Sequence, residues 1–254
     1  MRVIRFLEGR TPRYAQVEGD TAYPFDGEPW ETSVPSSRGV PVAGLPLLTP
    51  CAPSKIVGVG KNYRAHIKEM KSDTPDEPLI FLKPPSALLA SGEPIVRPRG
   101  YERVDYEGEL GVVIGRRAQH VKPEHAMSYV FGYTCINDVT VRDLQKKDVQ
   151  FTRAKGFDTF APLGPCIATD LDPSTLVLCT RVNGEIKQQA PISDMVFDVP
   201  TLVVFISRVM TLLPGDVIAT GTPSGVGNLR GGDVVDVEIE GIGTLHNPVI
   251  EEEG

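Results

Sequence analysis

Long hydrophobic runs and basic clusters are both missing from this sequence of 254 residues. No apolar segment approaches the roughly 20 residues that span a bilayer, and the first seven residues, MRVIRFL, carry charge too early for a secretory signal. No run of five or more basic residues occurs, and the net charge is −7. These features argue against nucleic acid and membrane as partners and predict a cytoplasmic protein.

Cysteine is scarce, and its spacing does not suggest a metal site. The four cysteines are Cys51, Cys135, Cys166 and Cys179, and none belongs to a C-x-x-C motif. Two of them lie in apolar, strand-like runs. This pattern favours reduced, buried thiols in a cytosolic protein over a disulfide scaffold or a zinc site.

Neither of the common nucleotide-binding glycine motifs is present. Gly60-Lys61 is not a phosphate loop, because position 55 is Lys where a glycine is needed and position 62 is Asn instead of Ser or Thr. The glycine-rich residues 221–227 do not fit G-x-G-x-x-G. Thr222 and the backbone amides of that loop are instead candidates for holding a substrate carboxylate.

Short strand-like segments and turns dominate the chain, which contains 25 glycines and 23 prolines. Strands are predicted at residues 79–83 and 110–115, a hairpin with an Asn183-Gly184 turn at 176–186, and a final strand at 234–239. Helices are predicted at 64–70 and 201–210, with an exposed helix or helical turn at 138–149. The fold class is therefore mainly β with a few helices (α+β). A small N-terminal β domain is predicted at residues 1–50 and a larger domain at 51–254.

Three carboxylates are the first candidates for chemistry. Glu107 and Glu109 are two residues apart, so on a strand they point to the same face, and an apolar strand follows them. They could decorate the solvent face of an edge strand, as most such pairs do. Alternatively, they could be buried around a cation together with Asp138, which follows the next apolar run. Three carboxylates without His or Cys suit a hard divalent ion such as Mg²⁺ or Mn²⁺.

Other residues could supply a base or bind an anion, although each could also be an ordinary surface residue. His66 and Glu69 are three apart and share a helix face, so the pair could act as a general base. Lys155 lies in a glycine- and aromatic-flanked segment and could hold an anionic oxygen. Arg142 could clamp a carboxylate, with Gln145 on the same helical turn.

Taken together and in this order, five motifs resemble the fumarylacetoacetate hydrolase superfamily. They are GVGKNYRAHIKE at 58–69, DYEGEL at 105–110, NDVTVRDLQ at 137–145, KGFDT at 155–159 and PGDVIATGTP at 214–223. The resemblance covers about residues 51–248 and is greatest to the short bacterial and mitochondrial branch. Lys61-Asn62 stands where the long members have an additional metal-side carboxylate, so fumarylacetoacetate itself is not the expected substrate.

The resemblance implies a metal site of Glu107, Glu109 and Asp138 that binds Mg²⁺ or Mn²⁺, with Ca²⁺ as an alternative. It also implies the remaining site residues, which are catalytic His66, Glu69 and Lys155 and substrate-binding Arg142, Gln145 and Thr222. The implied fold is a mixed β-sandwich roll with a small N-terminal β appendage, and the implied assembly is a homodimer.

The implied activity is metal-dependent chemistry on a small 2-oxo or 2,4-dioxo carboxylate through a metal-stabilised enolate. Hydrolysis of acylpyruvates, decarboxylation of oxaloacetate-like acids, or both, are the first expectation. An isomerase or decarboxylase of 2-hydroxyhepta-2,4-diene-1,7-dioate in aromatic catabolism is the alternative. A non-catalytic metabolite-binding module of the same fold is a further alternative.

Overall fold

The computed structural model describes residues 1–31 and 34–254, in which the chain forms nineteen strands, four α-helices and four 3-10 helices. The strands are β1 (Arg2–Glu8), β2 (Thr11–Glu18), β3 (Thr21–Pro24), β4 (Val40–Pro41), β5 (Ile56–Gly60), β6 (Leu79–Lys83), β7 (Leu88–Leu89), β8 (Ile95–Arg97), β9 (Val104–Tyr106), β10 (Gly108–Ile114), β11 (Val130–Asn137), β12 (Thr140–Val141), β13 (Ala161–Ala168), β14 (Val177–Val182), β15 (Glu185–Pro191), β16 (Val217–Ala219), β17 (Gly227–Asn228), β18 (Val234–Ile239) and β19 (Gly243–Glu251). The α-helices are α1 (Arg64–Glu69), α2 (Arg142–Asp148), α3 (Thr152–Lys155) and α4 (Val199–Val209). The 3-10 helices are Pro85–Ala87, Pro123–Tyr129, Pro173–Thr175 and Ile192–Asp194.

The strands form three sheets. The largest has eleven strands, ten of them in the order β4-β3-β2-β1-β13-β11-β10-β16-β5-β6, while β7 pairs with β13 beside this path. The second has the order β15-β14-β18-β19-β8, and the third has the order β12-β9-β17. Most neighbours are antiparallel, but β16 runs parallel to β5. The prediction of a mainly β protein with a few helices is confirmed.

Strand β10 lies in the interior of the large sheet. All seven of its residues are buried, and it pairs with β11 on one side and β16 on the other. A strand covered on both faces needs apolar side chains at successive positions, which its sequence GELGVVI supplies except at Glu109. The predicted buried strand is confirmed, and it places Glu109 inside the protein.

The N-terminal strands extend this sheet. Strand β1 pairs antiparallel with β13, with Arg2 opposite Ala168 and Val3 opposite Ile167. Because β2, β3 and β4 follow β1 in order across the sheet, hydrogen bonding continues from the N-terminal segment into the larger part of the chain. The division into domains at residue 50 stays a prediction.

The prediction of a helix at residues 138–149 is wrong for the first four residues. Helix α2 begins at Arg142, and the two residues before it form strand β12, which pairs with β9. Asp138 lies in the irregular segment between β11 and β12, where the Thr140 hydroxyl donates to its carbonyl at 2.8 Å. The predicted exposure is also wrong for Asp138 and Arg142, which are both buried. Helical spacing alone could not show these tertiary contacts.

Two further outcomes concern the end of the chain and the other helices. The strand predicted as the last one, β18, is followed by β19, which pairs with it and with β8. The helix predicted at 201–210 is α4, which begins at Val199 because Asp198 caps Thr201 N at 3.0 Å. Within the described residues, no helix has both the length and the apolar character needed to cross a bilayer.

One buried carboxylate joins two of the strands that carry the site. Asp216 precedes β16 and accepts hydrogen bonds from the backbone N–H groups of Ser54, Lys55 and Leu213 at 2.7–3.2 Å. It also accepts from the Ser54 hydroxyl at 2.7 Å and from Lys55 Nζ at 2.5 Å. These bonds fix where β5 begins relative to β16.

Replacing Asp216 with Ala should therefore destabilise the fold. The change leaves part-buried backbone donors and a part-buried ammonium without their partner, so the free energy of unfolding should fall by about 1–3 kcal/mol. Urea denaturation measures it. Asp26→Ala removes an exposed carboxylate and should change stability by no more than about 0.5 kcal/mol. Equal losses in both variants would contradict this role.

Candidate active site

Strand pairing brings three carboxylates together. Glu107 lies between β9 and β10, and Asp138 follows β11, whose residue Asn137 is opposite Gly108. Asp138 N donates to the Glu107 carbonyl at 2.8 Å, and Glu107 N donates to Asn137 Oδ1 at 2.9 Å. One carboxylate oxygen from each of Glu107, Glu109 and Asp138 lies within 4.8 Å of the others, and all three side chains are buried.

Three cationic side chains surround these carboxylates. Lys155, on α3, contacts Glu107 Oε2 at 2.9 Å, Asp138 Oδ2, and the Thr140 hydroxyl at 2.8 Å. Arg142, at the start of α2, donates to Glu107 Oε1. Lys83, at the end of β6, donates to Asp138 Oδ1 at 2.5 Å. All three cations are buried, so little water screens their interaction with the acids.

The three cations contact Glu107 and Asp138 but not Glu109, so the pKa values of the two glutamates differ. Burial favours the neutral form of Glu107, but Arg142 and Lys155 outweigh it and lower its pKa below the ordinary value. Burial, followed by the carboxylates of Asp138 and Glu107, raises the pKa of Glu109 well above its usual range. Glu109 accepts one hydrogen bond, from Gly221 N at 2.8 Å. An all-oxygen set in which one acid, Glu109, contacts no protein cation fits a hard divalent cation.

A His–carboxylate pair lies on α1. His66 Nδ1 is 2.9 Å from Glu69 Oε2, and Glu69 Oε1 accepts from Gly225 N at 3.0 Å. The Tyr106 hydroxyl donates to the Gly225 carbonyl at 2.8 Å, which ties this loop to the residue before Glu107. Since Nδ1 is engaged by Glu69, Nε2 is the ring nitrogen left for a reacting group.

The acids and the histidine open onto one cleft with a volume of about 130 Å³. Of the predicted site residues, Glu69 alone is not on its wall, and it supports His66 from behind. The lining residues are Val59, Gly60, Lys61, His66, Met70, Ser72, Phe81, Glu107, Glu109, Asp138, Arg142, Gln145, Phe151, Lys155 and Thr222. The cleft thus combines a candidate cation site, a candidate base in His66, and cationic side chains that could bind a substrate anion.

A model of the fumarylacetoacetate hydrolase C-terminal domain matches residues 55–250, which is more than half of the chain. This chain belongs to the fumarylacetoacetate hydrolase family. A second model, the Rv2993c-like N-terminal region, matches residues 1–50. The resemblance inferred from the five sequence motifs is thus confirmed, and so is the fold class that it implied. The homodimer stays a prediction.

Named relatives of this family span several reactions. Oxaloacetate tautomerase YisK of Bacillus subtilis is 45% identical over 214 residues, which cover 78% of this chain and 70% of that protein. The crystal structure of 2-hydroxyhepta-2,4-diene-1,7-dioate isomerase from Mycobacterium marinum is 46% identical, with a TM-score of 0.92 and 100% coverage of both chains. Maleylpyruvate hydrolase from Sphingobium sp. SYK-6, solved with manganese(II) and pyruvate, is 32% identical, with a TM-score of 0.81 over 100% of both chains.

Three residues predicted as substrate contacts bond to the protein itself. Arg142 donates to Asp105 and Gln145, at 2.8 Å each, as well as to Glu107. The Thr222 hydroxyl donates to the Gly108 carbonyl at 2.9 Å. In this family member, Arg142 and Thr222 thus support the strand that carries the acids, while both also line the cleft. Their contact with substrate stays a prediction.

Sequence reasoning missed two buried charged residues of the site. Asp105 is two residues before Glu107, so the alternation that aligned Glu107 with Glu109 also aligns Asp105, which binds Arg142. Lys83 ends an otherwise apolar strand, LIFLK, and is 1% exposed. A lysine at the end of an apolar strand is the only signal that the sequence offered for it.

Gly108 must lack a side chain. A Cβ at this position would lie 2.1 Å from Thr180 Oγ1, which belongs to β14 in the facing sheet. Thr180 is buried, and its hydroxyl has no hydrogen-bond partner among the described residues. The glycine between the two glutamates therefore lets the second sheet pack directly behind the carboxylates.

Gly108→Ala should lower the free energy of unfolding by about 1–3 kcal/mol, because the added methyl group overpacks this contact. Thermal or urea unfolding measures it. Thr180→Ala removes the clashing oxygen and should restore part of the loss in the double variant. Alone it should cost about 1 kcal/mol, because it also removes a buried methyl group. Additive losses in the double variant would refute the clash.

Glu109→Gln should weaken binding of Mn²⁺ at least tenfold. The amide keeps the shape of the side chain and a hydrogen bond from Gly221 N, but it removes the carboxylate least neutralised by protein cations. Titration calorimetry on chelator-treated protein measures the affinity. Glu102→Gln, at an exposed position on the approach to β9, is the control. Equal Mn²⁺ affinity in wild type and Glu109→Gln would rule out this ligand.

Proposed function

We propose that this protein is a divalent-cation-dependent enzyme that acts on 2-oxo acids through an enolate. The first reaction to test is keto–enol tautomerisation of an oxaloacetate-like dicarboxylate. The observation that carries the proposal is that the Glu107–Glu109–Asp138 triad and His66, which Glu69 holds from behind, line one cleft. The names of related tautomerases and isomerases support a proton-transfer reaction.

The triad supplies the site for the cation. A divalent ion held there would act as a Lewis acid that polarises the keto group of a substrate. Lys155 adds a positive charge on the same wall, and its ammonium lies 4.8 Å from the centre of the Phe81 ring. Because the lysine is buried and held by Glu107, Asp138 and Thr140, its charge is in place before substrate arrives.

His66 moves the proton in this scheme. Its Nε2 takes a proton from the carbon next to the keto group, and the electron pair of that C–H bond moves toward the keto oxygen. Glu69, at 2.9 Å from Nδ1, stabilises the imidazolium that forms. The imidazolium then returns the proton to the enolate oxygen, which completes the conversion of keto form to enol with no change in composition. The reverse sequence converts enol to keto form.

A further cation on the wall of the cleft favours a substrate with two carboxylates. Lys61 lines the cleft and forms no ion pair within residues 1–31 and 34–254. Its ammonium is therefore available to a second carboxylate of the substrate.

Hydrolysis of acylpyruvates is the second candidate, and the structural similarity to maleylpyruvate hydrolase favours it. In that reaction His66 takes a proton from water, and the resulting hydroxide attacks the distal carbonyl. The bond between that carbonyl and the adjacent CH₂ then breaks, so a carboxylic acid and the enolate of pyruvate result. The enolate accepts a proton to give pyruvate.

A substrate panel with a His66 variant tests the function. Wild-type protein with Mg²⁺ or Mn²⁺ should convert the enol of oxaloacetate to its keto form faster than it hydrolyses acetylpyruvate, and EDTA should abolish both. His66→Asn should lower kcat by about 10²–10⁴-fold, because proton transfer loses its base. Loss of enol absorbance measures tautomerisation, and release of pyruvate measures hydrolysis.

His125→Asn changes an exposed histidine outside the cleft and should keep wild-type rates. Faster hydrolysis than tautomerisation would replace the first candidate by the second. No turnover of either substrate, or wild-type rates in His66→Asn, would refute the proposed function. Binding without turnover would support the non-catalytic alternative.

A further inference from the structure

Lys83 is a buried cation that the proposed chemistry does not use. Its ammonium donates to Asp138 Oδ1 at 2.5 Å and to the Val139 carbonyl at 3.3 Å. It does not line the cleft, and it is 1% exposed. It therefore contacts Asp138 from behind, on the oxygen opposite the one that Lys155 contacts. A buried ammonium is costly to desolvate, so this position needs an explanation.

One carboxylate oxygen of each acid in the triad accepts a hydrogen bond from a protein donor. Arg142 contacts Glu107 Oε1, the Gly221 N–H contacts Glu109 Oε2 at 2.8 Å, and Lys83 contacts Asp138 Oδ1. The other oxygens are Glu107 Oε2, Glu109 Oε1 and Asp138 Oδ2. Lys155 contacts two of them, and Glu109 Oε1 has no hydrogen bond among the residues that the structure describes. Glu107 and Asp138 therefore have both oxygens engaged by protein donors, and on each acid the oxygen that Lys155 contacts is the one that would be open to a cation. On Glu109 that oxygen is Oε1.

We propose that Lys83 is a positioning residue that restricts Asp138 to a single coordinating oxygen and so makes the site prefer Mg²⁺ or Mn²⁺ over Ca²⁺. This inference rests on the cation site of the proposed function. Because Lys83 Nζ donates a hydrogen bond to Asp138 Oδ1 at 2.5 Å, that oxygen is engaged by the protein and cannot share the ion with Oδ2. Arg142 and Gly221 act in the same way on the two glutamates.

The number of available oxygens discriminates between the ions. Mg²⁺ takes six ligands at short distances and commonly uses one or two carboxylates with water or substrate. Ca²⁺ takes six to eight oxygens and often binds a carboxylate through both of its oxygens. Three acids that offer one oxygen each satisfy half of a six-ligand shell and leave the remainder to water and substrate. The same three oxygens fall further short for Ca²⁺.

Lys83→Met tests this by changing selectivity. The substitution keeps an apolar stem of similar length and frees Asp138 Oδ1, so the ratio of the Ca²⁺ dissociation constant to the Mg²⁺ dissociation constant should fall about tenfold. Titration calorimetry on EDTA-treated protein measures both constants without relying on activity. The loss of one positive charge affects both divalent ions alike and cancels in the ratio.

Lys155→Met is the matched control. It removes the same charge from the same site but frees only oxygens that already face the cation position, so both affinities should rise and their ratio should stay constant. An unchanged ratio in Lys83→Met would overturn the inference, as would an equal fall in Lys155→Met. If wild-type protein binds no divalent ion, the proposed function fails; binding with an unchanged ratio refutes only the role of Lys83.

Infrared spectroscopy tests the wild-type protein directly, which covers the case in which Lys83→Met does not fold. The separation of the symmetric and antisymmetric carboxylate stretches differs between one-oxygen and two-oxygen coordination. Ca²⁺-minus-apo difference spectra of the wild type should show the one-oxygen pattern. A two-oxygen pattern assigned to Asp138 by comparison with Asp138→Asn would overturn the inference.

Discussion

Repulsion among three buried carboxylates is the constraint on which the rest of this site depends. Glu107, Glu109 and Asp138 are buried and meet within 4.8 Å, and burial of such charges is favourable only with partners. The fold brings cations from three separate elements, β6, α2 and α3, to the same place. The path of the chain between residues 79 and 155 can be understood as the means of assembling these charges.

The charges on the acids are balanced unevenly, and this makes the site receptive to a cation. Glu107 and Asp138 each contact two protein cations, while Glu109 meets a backbone N–H. Full neutralisation by the protein would leave no attraction for a divalent ion, whereas no neutralisation would destabilise the fold before the ion binds. Lys155 contacts one oxygen on each of Glu107 and Asp138. If the triad held a divalent ion through these oxygens, the Lys155 charge would become available to a substrate.

The burial of Glu107 and Glu109 was predictable from the sequence because strand alternation is a local property. Glu107 and Glu109 share a face by their spacing, and the apolar run after them indicated burial. The same alternation includes Asp105, so the sequence pattern also indicated this buried residue, which the prediction did not include. The contact between His66 and Glu69 on α1 was predictable in the same way, since residues three apart on a helix lie on the same face. The order of five motifs then identified the family.

Contacts between distant residues were beyond such local rules. Lys83 reaches Asp138 across 55 positions, and no periodicity in either segment indicates that they meet. The start of α2 was misplaced for the same reason, because pairing of Thr140 with Asp105 keeps that segment extended against its helical spacing. Both errors fall on residues that hold the acids in place. Where tertiary contacts orient a charged group, they override the local secondary-structure propensity. Prediction from local sequence patterns therefore fails first at a functional site.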